Sequence, residues 1–228
     1  GVLPTDTLVN IGASASNGTL DLNGNDQTIG GLEDEGTGTR TVTSATAATL
    51  TIDSGTDYTY DGVISGALAL VKNGTATQTL TGLNSLTGGT TINAGRIDLA
   101  ANHGANGTLN GTVTVNAGGV LETSVKDSLG FGSNSVTTIN LVGGEWNNST
   151  TSNQTTSGDF VLNMTGGQVT GTGSIHFFDS DGDPGTGTSA INTLASATSS
   201  TIDGVGIILR QAGGTTITVA DGAAAQDL

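Results

Sequence analysis

Asp179, Asp181 and Asp183 stand at alternate positions in the run Asp179-Ser180-Asp181-Gly182-Asp183-Pro184-Gly185. Carboxylates spaced this way in a tight loop can converge on one hard cation, as at the start of a calcium loop. The run departs from that pattern twice. Pro184 takes the sixth position, where glycine makes the sharp turn, and Ala190 takes the twelfth, where a bidentate Glu is usual. The same residues also read as a solvated acidic loop inserted over residues 177–190, with Phe177 and Phe178 packing the end of a strand, and the sequence leans that way. A calcium ion held there would brace the loop. No other cofactor is expected. Glu33-Asp34-Glu35, beside Gly36, is a second acidic cluster. Adjacent like charges repel and usually mark a solvated turn, so this cluster reads as surface.

Catalytic chemistry finds little support. Glycoside hydrolysis needs two carboxylates across a groove. Asp98 and Glu122 are candidates, yet nothing in their surroundings separates them from solvated strand residues. A lyase would use Lys or Arg beside calcium. Arg40, Lys72, Arg96, Lys126 and Arg210 are the whole supply, and they are scattered. His103 and His176 each stand alone, with no nucleophile pattern. Trp146, the single tryptophan, could stack on a sugar, but it reads better as a core or corner filler. No phosphate loop, dinucleotide fingerprint or zinc motif is present. The sequence therefore names no catalytic residue.

The elements that would position these residues are short strands. The 228 residues include 38 glycines, 2 prolines and 3% aromatics. A disordered chain can be rich in Gly and Ser, but here 34% of residues are hydrophobic and fall in short regular runs. Thr49-Leu50-Thr51-Ile52, Thr112-Val113-Thr114-Val115 and Ile217-Thr218-Val219 alternate with period two, the mark of half-buried strands. No stretch has the length or period of a stable helix.

A beat organises these strands. A β-branched residue or Leu, then Asn or Asp, then Gly within a few positions, recurs along the chain. Asn10, Asn23, Asp53, Asn73, Asn93, Asn116, Asn140, Asn163, Asp203 and Asp221 are its anchors. Between Asp53 and Asn163 the steps are 20 to 24 residues, a solenoid period. The step of 40 from Asn163 to Asp203 reads as two coils with one anchor missing. These features predict an all-β fold, a right-handed parallel β-helix of about ten coils running continuously over residues 1–228. Asn at a repeated corner would bond the Asn one coil away. An antiparallel sandwich would use similar residues, but would show hairpin pairs rather than this beat.

Charge excludes some partners. Five Lys and Arg against 20 Asp and Glu give a net charge of −15. Nucleic acid binding needs basic residues to displace counterions, and anionic lipid disfavours the same balance. The chain has no cysteine and no apolar run of membrane-spanning length. Neither end looks like a polar cap. Neighbouring modules or further copies, stacked end to end, are therefore expected partners.

The stretch from Tyr60 to Leu99, YDGVISGALALVKNGTATQTLTGLNSLTGGTTINAGRIDL, resembles the autotransporter-associated β-strand repeat. Gly62, Ile64, Ser65, Gly66, Leu70, Lys72, Gly74, Leu80, Gly82, Asn84, Gly88, Gly89, Ile92 and Gly95 fall on its pattern. Departures are Leu68 and Ala76 in place of Gly, Leu86 in place of an aromatic, and Gln78 in place of Leu. Gln78 is expected to face solvent. The resemblance implies a β-helical passenger segment of a bacterial surface protein, secreted or displayed at the cell surface. It implies a structural or adhesive role, with glycans or a host surface as partners. It brings no catalytic residue with it. A polysaccharide-binding or polysaccharide-degrading β-helix is the alternative. Convergence of Asp98, Glu122, Trp146 and basic residues on one exposed face would favour it.

Overall fold

In the computed structural model, which describes residues 2–177, 187–209 and 213–220, the chain winds into a parallel β-solenoid of about nine turns. Every strand pairing among the described residues is parallel, and none of those residues is helical. The largest sheet has 11 strands, and its main path runs from Gly18–Asp21 to Thr215–Val219. A second sheet of 7 strands runs from Tyr58–Tyr60 to Thr201–Ile202. Three further strands, Asn153–Thr155, Ser174–Phe177 and Gly206–Leu209, form a third sheet. Each coil thus lays one rung on each main face.

The period-two alternation decides which side chains enter the core. In the largest sheet, Ile52, Lys72, Ile92, Val115, Leu141 and Met164 stack in register and point inward, all buried. In the second sheet, Gln78, Ile97, Leu121, Trp146 and Val169 form an equivalent buried column. Gln78 therefore does not face solvent. It is 1% exposed, and its Nε2 donates to Leu32 O at 3.0 Å and Tyr58 O at 3.3 Å. Backbone carbonyls left over inside the coil accept from its Nε2, which lets a polar residue occupy an inward position, while its buried Oε1 has no hydrogen-bond partner.

The outer rank of the largest sheet is equally regular. Thr28, Thr51, Val71, Thr91, Thr114, Asn140, Asn163, Asn192 and Thr218 stand one above the next. At ~4.8 Å per rung this rank is about 40 Å long.

Two asparagine ladders appear where the sequence suggested one. Asn93 Nδ2 donates to Asn73 Oδ1 at 2.9 Å, and Asn116 Nδ2 to Asn93 Oδ1 at 2.7 Å. Asn163 Nδ2 donates to Asn140 Oδ1 at 2.8 Å, and Asn192 Nδ2 to Asn163 Oδ1 at 2.9 Å. The ladders are offset, because Asn116 pairs with Val142 while Thr114 pairs with Asn140. From Val136–Val142 onward the amide sits earlier in the strand, with Leu141 or Met164 between it and the glycine. These bonds span 20, 23, 23 and 29 residues, so coil length varies while the ladder holds. Asn192, rather than Asp203, continues the second ladder. Asp203 follows the second sheet, its N–H donating to Val169 O at 2.9 Å.

The ends differ. Leu3 N–H donates to Gln27 Oε1 at 2.8 Å, and Leu3 packs on the core, so the segment before the first strand lies over the first coils. At the last described rung, Ile217 and Val219 are 48% and 52% exposed, although they stand in register with buried Ile191 and Thr193.

Arg40–Asp53 and Val63–Asn73 bend round a corner, marked by a register shift between Ser44 and Ala48. Gly66 makes that corner with φ 82°, and a Cβ there would lie 2.4 Å from Ser44 O. Gly66→Ala should lower stability by about 1–3 kcal/mol, from backbone strain and the clash together. A shift of the urea unfolding midpoint to lower concentration checks this.

Candidate functional site

The outer positions of the second sheet hold the candidates for carbohydrate chemistry. Asp98 and Glu122 occupy neighbouring rungs in register, and Arg96 stands two residues before Asp98 on the same face. Arg96 forms an ion pair with Glu122, and its side chain borders an open cleft of about 560 Å³ with Thr75, Thr77, Gly118 and Val120. The structure thus brings Asp98, Glu122 and one cation together. Each carboxylate already has partners. Ser124 Oγ donates to Asp98 Oδ1 at 2.6 Å, and Ser149 Oγ donates to Glu122 Oε1 at 2.6 Å. Glu145 accepts from Gln168 Nε2 at 3.1 Å and from Thr170 Oγ1. Carboxylates engaged with a hydroxyl or amide from the next coil behave as rivets between rungs. Their spacing follows the strand repeat.

Trp146 does not join them. It is wholly buried, its ring 6.2 Å from that of Phe160, which in turn lies 5.6 Å from Phe177. Its Nε1 donates to Thr123 Oγ1 at 3.1 Å. It is the core filler the sequence favoured. The histidines stay apart from this face: His103 lies in a turn bridged to Asn106, and His176 Nε2 is 2.8 Å from Ser174 Oγ on its own strand.

The acidic cluster at Glu33 and Asp34 is also bound into the lattice. Asn10 Nδ2 donates to Glu33 Oε1 at 2.9 Å, and Arg40 pairs with Asp34 at 2.7 Å. Among the described residues no group of three His, Cys, Asp or Glu side chains is placed to hold a metal ion. Asp179, Asp181 and Asp183 lie outside the described residues, and Lys126 pairs with Asp127 at 3.6 Å, away from the other cations.

Lys72 and Tyr60 place ionisable groups inside the coil. Lys72 is buried, and its ammonium donates to Asn73 O and to Gly74 O at 3.1 Å, tying the corner turn. Burial pushes its pKa below the ordinary 10.5, and the nearby Asp53 and Asp57 oppose that shift. Tyr60 is also buried, its hydroxyl without a hydrogen-bond partner. Burial first, and then Asp34, raise its pKa well above the ordinary 10.0, with Arg40 opposing. The position of Lys72 was legible in the alternation Leu68, Leu70, Lys72, which puts all three on the inward side.

The geometry defines a β-solenoid in which Arg96, Asp98, Glu122 and Glu145 bond groups of neighbouring coils. Residues 70–99 match the model of the passenger-associated-transport-repeat family. That repeat and the solenoid together fit an autotransporter passenger repeat protein, and the family implies a secreted or surface-exposed protein. No curated protein and no solved structure matches the chain. No helix among the described residues is long and apolar enough to cross a membrane.

Lys72 gives a pH test with a defined sign. The unfolded chain holds this proton more tightly than the folded one, so stability rises with pH from the folded pKa up to about 10.4. Tyr60 acts oppositely: its contribution is complete below about pH 10 and is lost as pH rises further. Unfolding midpoints across alkaline pH should show the rise, and Lys72→Met should flatten it. Tyr60→Phe should flatten the subsequent fall.

Proposed function

We propose that this chain is a structural and adhesive module of a bacterial surface protein, a rigid rod that carries load or contact surface rather than chemistry. The observation that supports this most is the fate of its polar side chains. Asn73, Asn93, Asn116, Asn140, Asn163 and Asn192 bond one another, and Asp98, Glu122 and Glu145 bond hydroxyls or amides of adjacent coils. Groups that a catalyst would leave poised here connect rungs. The passenger repeat at 70–99 agrees with a non-catalytic role.

Such a rod is suited to stacking against further coils. A further coil laid on the last described rung would cover Ile217 and Val219 and satisfy the strand edge they stand on. The occupant is a neighbouring module or another copy. Calcium at Asp179, Asp181 and Asp183 would serve only to brace that loop. Glycans or a host surface are the partners of an adhesive rod.

A polysaccharide-acting module is the second reading, favoured by Asp98, Glu122 and Arg96 on one face beside the cleft. One experiment separates the two. The chain is expressed within its parent protein, and intact cells are probed with antibody and external protease. The structural reading predicts accessible antigen and unchanged surface density in Asp98→Asn and Glu122→Gln. It also predicts no glycan cleavage in a hydrolase and lyase screen. Glycan turnover abolished by both substitutions would overturn it.

A further inference from the structure

The outward rank from Thr28 to Thr218 is unlike the rest of the molecule. The chain carries a net charge of −15, yet this rank holds no charged residue over its whole length. A second rank runs beside it, two residues back along each strand. Thr112, Thr138, Val161, Ala190 and Thr216 stand there in register, and Thr49 and Ala69 pair in the same way nearer the start. The described members of both ranks are half-buried or exposed. The face therefore presents methyl groups beside hydroxyls and amides, on a grid fixed by the backbone. Neighbours are ~4.8 Å apart along the axis and roughly 6.6 Å apart along a strand.

The grid is stiff. Thr and Val are restricted at χ1. The amides of Asn140, Asn163 and Asn192 are fixed by one another, and Asn140 Nδ2 also reaches Thr114 Oγ1 at 3.4 Å. An amide has two N–H donors and two acceptor lone pairs. Each ladder bond uses one of each, so every interior amide keeps one donor and one lone pair for the outside. All three point the same way along the axis.

A stiff, uncharged and periodic rank fits a ligand that is itself neutral and periodic. We propose that this face binds the surface of crystalline water. Methyl groups shed poorly held water, while hydroxyls and amides at fixed spacing bond the water molecules that remain. Charges would hold disordered hydration shells; the main rank carries none, and Asp26 and Asp53 flank only its first rungs. Many weak contacts add up because the grid is ordered before binding. The face has no aromatic side chain to stack on a sugar ring. Like the rest of the acidic rod, a second copy would bring its own negative charge toward this one.

The test uses the purified 228-residue chain in an ice-partition assay, in which slowly growing ice either takes up the protein or rejects it. The face predicts enrichment in the ice fraction and inhibition of ice recrystallisation. Thr91→Lys and Asn163→Lys, one near each half of the rank, should each lower enrichment several-fold. Thr79→Lys, on the second sheet, should not. Circular dichroism and the unfolding midpoint confirm that each variant keeps the fold. Rejection of the wild-type protein from ice overturns the proposal. So does enrichment that survives both face variants. Binding through this face to insoluble neutral glucan or to a second copy, in place of ice, overturns it as well.

Discussion

The backbone hydrogen bonds that run along the axis from each coil to the next carry this structure. A parallel rung offers every N–H and C=O to its neighbours above and below, so each strand is satisfied only when another coil lies on each side. Side chains then follow the backbone. A residue stands over its equivalent one coil away, and like stacks on like. The apolar columns give one continuous core, and the asparagine ladders and carboxylate–hydroxyl pairs are the same stacking carried out by polar groups. Nothing in the design needs a large aromatic core, which agrees with the 3% aromatic content.

A modular architecture follows from that constraint. A solenoid is quasi-one-dimensional, and each coil meets only its neighbours. Length can be added or removed without rebuilding a core, and outward faces can vary while inward columns stay fixed. The second sheet carries Arg96, Asp98, Glu122 and Glu145, whereas the outer rank of the largest sheet carries no charge. The rod therefore has chemically different sides on one continuous core.

Much of the fold was legible because the alternation of Thr with Val, Ile and Leu records inward and outward directions one residue at a time. The rise of the repeat was legible too, since the Asn-Gly turns recur once per coil. The two ladders were not. Asn140 and Asn163 precede their glycines by three residues instead of one or two, and local spacing alone does not show that this moves the amide from corner to mid-strand. Gln78 misled for another reason. The alternation Ala76, Gln78, Leu80 points it inward, but the carbonyl of Leu32 that accepts from it lies 46 residues away, and no local pattern announces such a partner. Of the candidate site, the roster of charged residues was visible. Their mutual pairing was not, because Glu122 meets Arg96 and Ser149 only once coil lengths are known.

The central claim is that sequence distance converts into rung number. The chain has no cysteine, so pairs of cysteines can be introduced as spin-label sites without interference. Pulsed electron paramagnetic resonance between a label at Thr51 and one at Asn140, Asn163 or Asn192 measures this directly. These positions lie four, five and six rungs from Thr51, so stacking predicts backbone separations of about 19, 24 and 29 Å, rising by one strand spacing each time. Distances that fall or fail to advance along that series, as a folded-back sandwich would give, would contradict the account.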